Sequence, residues 1–268
     1  MSHVRPRRCL AAAGSLALVA LLAVGCGDDG GDSAAQETET VVVTADVTTP
    51  GPTDGSDSPD DSGPALTQEQ LDVVVLTPEN LGEGWTGGPV ESDVESGAPG
   101  CFGEIETISD GLDAIEVAER DVEYDFGDDG EPSVHSGASS YSDGNAVAQA
   151  FDDLSAALSA CTSVTGTDGE GYTWDLTVTS DDTVLSDATD DQVNVTAAGT
   201  VTDSAGTSYD LTLHQTYVRI GKNVITVGVS GVSDQSALQA GYTQIAVDRL
   251  VAVIIDSDPS ETTGPQPA

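Results

Sequence analysis

Among the 268 residues, the side chains able to do chemistry are scarce on the basic side and abundant on the acidic one. An enzyme needs a nucleophile with its base, a metal cage or a pair of tuned carboxylates. His135 and His214 both fall in stretches patterned as strands, where a histidine is ordinarily a surface or cross-strand residue. No G-x-S-x-G elbow is present, and no Gly-rich phosphate loop precedes a helix. With 47 acidic residues, adjacency of two carboxylates carries no information about acid/base work. Asp128-Asp129-Gly130-Glu131 and Asp187 to Asp191 offer hard oxygen ligands in turns, as calcium prefers. Neither has EF-hand spacing, and solvated turns are the competing reading. The sequence therefore assigns no catalytic residue, no metal and no cofactor. A secreted hydrolase using carboxylates stands as the alternative function.

Seven basic residues face those 47 acids, for a formal net charge of −40. Such a field repels nucleic acid and anionic lipid headgroups, which excludes both as partners of a folded part. Arg219 and Lys222 flank a hairpin turn. Either they pair with nearby carboxylates, or they dominate an anionic pocket. Trp85, Trp174, Tyr172 and Tyr217 are the large aromatics, and with Arg219 they are the expected lining if a cleft exists. In this charge field a neutral, largely apolar molecule such as a lipid or a cell-wall fragment meets no electrostatic barrier. Its burial would contribute about 25 cal/mol per Å² of apolar area before association costs.

The N-terminus says where the chain lives. Arg5, Arg7 and Arg8 precede an apolar run from Leu10 to Gly25, followed at once by Cys26 and an acidic, Gly-rich stretch. A basic region before a short apolar one is the plan of an export signal, and the run falls short of the ~20 residues a spanning helix needs. Arg7-Arg8 also permits a twin-arginine reading that the surrounding residues fit poorly. Ala23-Val24-Gly25-Cys26 resembles the lipobox of bacterial lipoproteins, although Ala23 stands where Leu is commonest. The resemblance implies cleavage before Cys26 and attachment of a diacylglycerol to its thiol. An uncleaved anchor and ordinary secretion are the alternatives. Two acyl chains suffice for stable anchorage at the extracytoplasmic face of the cell membrane. Loss of residues 1–25 would leave Arg120, Arg219, Lys222 and Arg249 as the basic residues.

Cys9 leaves with such a signal and Cys26 carries lipid, so Cys101 and Cys161 remain, in a compartment where disulfides persist. A structural bond between them is the expectation, and a redox or metal role is the alternative. No CxxC is present, and no further pair of ligands completes a zinc site.

These residues need elements to position them. Residues 26–64, including "GPTDGSDSPDDSGP", lack the apolar surface to offset chain entropy and read as a disordered acidic tether after the lipidated cysteine. Residues 257–268 read as a disordered tail. Residues 65–256 are long enough for a single core of ordinary size.

Within them, Thr67-Gln68-Glu69-Gln70 has the form of a capping box, and Thr77-Pro78 opens a second helix across "LTPENLGEGW". Cys101, Ile105, Ile108 and Leu112 share one helical face. Ala118 to Tyr124 alternates as a strand, "FGDDGEP" turns the chain, and Val134 to Tyr141 returns. Asp143 can cap a helix whose stripe is Val147, Ala150, Phe151, Leu154, Leu158 and Cys161. Tyr172 to Val178, Val193 to Thr202, Tyr209 to Ile220 and Val224 to Val229 follow as strands, with "DSAGT" and Gly221-Lys222-Asn223 as turns. Leu238 to Ile254 closes as an amphipathic helix. Consecutive hairpins mean an antiparallel sheet, so the fold class is α+β with helices packed mainly on one face.

"LTPENLGEGW", the helix "NAVAQAFDDLSAALSAC" entered from "SSYSD", and "YVRIGKNVITVGVSG" before the last helix resemble the PknH-like extracellular sensor domain of actinobacteria. That family includes the outside domain of a membrane serine/threonine kinase and free-standing lipoproteins. The resemblance implies an antiparallel sheet flanked by helices, disulfides bracing the helices, and a cleft for an unknown ligand. It points to a non-catalytic, lipid-anchored sensing or binding domain whose partners are the membrane, through its anchor, and a small molecule or envelope component. A structural envelope lipoprotein is a further alternative. The kinase domain has two disulfides, whereas this chain can form only Cys101 with Cys161.

Overall fold

A computed structural model describes residues 63–90, 97–127, 130–181, 183–184, 186–256 and 264–267. The proposed signal, Cys26 and most of the tether lie outside these residues, as do Asp128, Asp129 and residues 257–263. Among the described residues no helix is long and apolar enough to cross a membrane.

Eight antiparallel strands form one sheet in the order β1-β2-β3-β8-β7-β6-β5-β4. They are β1 (Trp85–Pro89), β2 (Glu116–Phe126), β3 (Ser133–Tyr141), β4 (Ser163–Thr167), β5 (Thr173–Asp181), β6 (Asp191–Thr202), β7 (Ser208–Ile220) and β8 (Asn223–Gly231). The chain builds one edge with β1 to β3, lays down β4 to β7 from the other edge, and closes the gap with β8.

The helices begin where short polar side chains satisfy exposed backbone N–H groups. Helix α1 (Gln68–Val74) carries the capping box, with the Gln70 side chain accepting from the Thr67 N–H at 2.9 Å. Helix α2 (Pro78–Leu81) starts on Pro78 and ends at Gly82, so Trp85 opens β1 instead of extending a helix. Helix α4 (Gly144–Ala160) is capped by Asp143, whose Oδ1 accepts from the N–H groups of Asn145 and Ala146. Helices α3 (Cys101–Asp110) and α5 (Ser236–Ile254) complete the set.

Two apolar cores lie on opposite faces of the sheet, because residues alternate between faces along each strand. Val122, Val134, Val218, Ile225, Val227 and Val229 bury against α1, α2 and α5. Trp174, Leu176, Val178, Val193, Val195 and Tyr217 bury against α3 and α4. The helices thus divide between the faces, a refinement of the expectation that they lie mainly on one. The physical reason is that β7 and β8 are apolar on both faces, as buried Tyr217 beside buried Val218 shows. The disulfide Cys101–Cys161 joins the first residue of α3 to the C-cap of α4. Residues 264–267 lie against α2 and α5: the Gly264 N–H donates to Asn80 O and the Tyr242 hydroxyl donates to Pro265 O at 2.8 Å.

Candidate functional site

Along α4, the stripe Val147, Ala150, Phe151, Leu154, Leu158 serves two purposes. Its C-terminal end, with Leu158 fully buried, packs into the filled core with Phe102, Ile105 and Val164. Its N-terminal end, together with Ile108 and Leu112 at the far end of α3, roofs a partly open pocket. The floor is sheet: Ser139 and Tyr141 from β3, Val224 and Thr226 from β8, and Tyr217 from β7. The cavity under this roof is small, ≈ 50 Å³, and opens to solvent. Aliphatic and aromatic walls with a few polar groups on the floor are what a small-molecule site requires.

Of the five residues expected to line a cleft, Tyr217 is on this floor. Trp174 and Tyr172 belong to the same side of the sheet but sit in or against the filled core, where the Trp174 indole N–H donates to Asp168 at 2.7 Å. Trp85 is on the opposite face, edge-on to Phe126 and Tyr242 with ring centroids 5.3 Å and 6.0 Å away. Arg219 is occupied by Asp191, with Nε and Nη2 both 2.6 Å from Oδ2, and by the Gly221 carbonyl. Asp190 accepts from the Gly221 N–H. These two aspartates therefore fix the β7–β8 turn. Among the described residues, no group of three or more His, Cys, Asp or Glu is arranged to hold a metal.

Beyond the polar floor lies a cluster that adjacency in sequence did not single out. In register, Glu119 of β2 faces Ser139 of β3, and Asp121 faces Gly137, whose other neighbour is Thr226 of β8. Alternation places Glu119, Asp121 and His135 on the pocket's face of the sheet. Asp121 and His135 are both about nine-tenths or more buried and meet at 3.0 Å, Oδ1 to Nε2. The other imidazole nitrogen, Nδ1, is buried without a hydrogen-bond partner, as is Glu119 Oε1. Burial, followed by the charges of Asp121 and Glu116, pushes the Glu119 carboxyl up to about 9. Burial, followed by Asp113 and Asp121, brings Glu116 to about 7. At neutral pH Glu119 is therefore a neutral acid hydrogen-bonded to Asp121.

The second histidine is a cross-strand residue. His214 Nδ1 lies 3.2 Å from the Thr196 hydroxyl on the neighbouring strand, and its Nε2 accepts from the Gln235 N–H just before α5. Asp234 Oδ1 is 3.1 Å from the same Nε2. Burial outweighs Asp234 and holds this imidazole below its ordinary value. Among the described residues, no hydroxyl or thiol nucleophile is bonded to His135 or His214 apart from Thr196.

No family model matches the chain, and no curated protein is similar to it in sequence. Among solved structures, the extracellular domain of PknH from Mycobacterium tuberculosis is similar in fold at 13% sequence identity. The match has a TM-score of 0.51 and covers 73% of this chain and 100% of that one. Its identity is too low to carry residue roles, and what the two share is the arrangement of sheet and helices.

Proposed function

We propose that the chain is a non-catalytic extracytoplasmic domain, lipid-anchored at Cys26, that binds a small, largely apolar molecule between α3, α4 and the sheet. The observation that carries this reading is the pocket itself, a partly open apolar space bounded by the N-terminal end of the α4 stripe, α3 and the sheet. The fold likeness to an extracellular domain supports the location. So does a disulfide, which persists in oxidising compartments.

The raised carboxyls of Glu119 and Glu116 are the one observation that favours a hydrolase. Retaining and inverting glycosidases hold their two carboxyls ~5 Å or more apart to admit a sugar or a water. Glu119 and Asp121 are instead hydrogen-bonded to each other, which leaves no such gap. Binding is the reading the geometry favours.

Two experiments test it. Native mass spectrometry of protein taken from its own envelope should show an added small molecule that Ala150→Phe, which fills the roof, eliminates. Retention of that molecule by the variant refutes the pocket. Intact mass should also report a diacylglycerol that Cys26→Ala removes, together with membrane partition, and unchanged partition refutes the anchor.

A further inference from the structure

We propose that the cluster of Glu119, Asp121 and His135 is the polar end of the pocket and receives an organic ammonium group, so that the site takes a cationic amphiphile. This rests on the pocket being a ligand site and adds the chemistry of the ligand's head.

Continuity comes from strand register. In one row across the sheet, Val224 and Ser139 line the pocket floor, and the next residue is Glu119. In the adjacent row, Tyr217 and Thr226 line the floor, Gly137 contributes no side chain, and the next residue is Asp121. Asp121 Oδ1 occupies the space above Gly137, 2.5 Å from where a Cβ would stand. The space above Gly137, next to Thr226 in the same row, is occupied by the Asp121 carboxylate and the edge of the His135 ring.

Two buried polar atoms of the cluster have no partner among the described residues. His135 Nε2 lies 3.0 Å from Asp121 Oδ1, and its Nδ1 is buried and unpartnered. Glu119 Oε1 is likewise buried and unpartnered. Buried polar atoms without partners are costly, and an ammonium brings three donors to Glu119 and Asp121. Charge agrees. Of the described arginines, Arg120 pairs with Asp72, Arg219 with Asp190 and Asp191, and Arg249 bonds Val73 O and Asn80. Burial and the neighbouring carboxyls of Asp121, Glu116 and Asp113 keep a proton on Glu119. A ligand ammonium replaces that proton: Glu119 ionises, the proton goes to solvent, and the net charge of the cluster is unchanged. An anionic head would meet Asp121 with nothing to offset it. A bare metal ion finds no ligand set among the described residues.

The test compares decylammonium, decanol and decanoate by titration calorimetry on the full chain at neutral pH and physiological salt, in buffers of differing ionisation heat. Decylammonium should bind at one site about ten-fold tighter than decanol, as a charge-assisted hydrogen bond exceeds a neutral one. Its binding should release up to one proton, and decanoate should not bind. Glu119→Gln, close in shape to the protonated acid, should abolish proton release and weaken the preference for the ammonium. Equal affinity for the ammonium and the alcohol, or binding without proton release, overturns the head assignment and leaves the apolar pocket standing. Failure of all three to bind, or binding that Ala150→Phe leaves intact, overturns the pocket reading and this one with it.

Discussion

Cys101 opens α3 and Cys161 caps α4, so the bond between them ties together the two helices that roof the pocket. It closes a loop 60 residues long. In the chain-entropy model such a cross-link contributes about 4 kcal/mol by restricting the unfolded chain. Urea unfolding with and without reductant should differ by that order, and the Cys101→Ser, Cys161→Ser double variant should match the reduced protein. Alkylation of two thiols without prior reduction would show that the bond does not form.

Much of the fold is legible because local chemistry fixes it. The capping box at Thr67, the proline at position 78, Asp143 before α4 and the turns at "DSAGT" and Gly221 all act within a few residues. The pairing of Cys101 with Cys161 follows once Cys9 and Cys26 are set aside. The edge strands β1 and β4 are not legible. They are five residues long, and "WTGGP" and "SVTGT" carry too few apolar residues to show a period. The division of helices between faces is likewise hidden. A stripe such as Val147 to Leu158 reports that one face of α4 is covered, without reporting which side of the sheet covers it. Nor does the sequence distinguish Glu119 and Asp121 from forty-odd solvated acids, because their burial depends on strand register with Ser139 and Gly137. The hint that existed was His135, placed on the returning strand opposite the acidic alternation of β2.

Glu119 predicts how stability changes with alkali. Its folded value of about 9 lies above the ordinary 4.5, so the folded state holds a proton that the unfolded state has released. The stabilisation is complete below the ordinary value and is lost as pH rises towards the folded one. Melting temperature should fall between about pH 6 and about pH 9, and Glu119→Gln should fall less over the same range. Parallel curves for the two proteins would show that Glu119 does not carry the proton.

His214 predicts the opposite slope in acid. Its Nε2 accepts from the Gln235 N–H, which requires the ring to be neutral, and burial holds it below the ordinary 6.5. Below that value the unfolded state takes up a proton that the folded state resists, so stability is lost as pH falls through the folded value. Relative to His214→Gln, the wild type should lose melting temperature between about pH 7 and about pH 5. Hydrogen exchange at Gln235, corrected for its intrinsic pH dependence, should quicken over the same interval. No difference between the proteins would mean that the ring is already charged.

The two ends of the α4 stripe should respond to substitution in opposite ways, and that contrast separates a pocket from a core that is merely loosely packed. Leu158 is fully buried among Phe102, Ile105 and Val164, so Leu158→Ala removes apolar atoms and leaves a cavity. The expected loss is about 2–5 kcal/mol in urea unfolding, with the affinity for any pocket ligand little changed. Ala150, two turns earlier, is half-buried and faces open space under the roof. Enlarging it fills space that no side chain occupies, so Ala150→Phe should cost less than about 1 kcal/mol, below the usual penalty for overpacking a dense core. It should nevertheless abolish ligand binding. If Ala150→Phe destabilises the domain as much as Leu158→Ala, the space beneath α4 is not a preformed site and the binding role loses its structural basis.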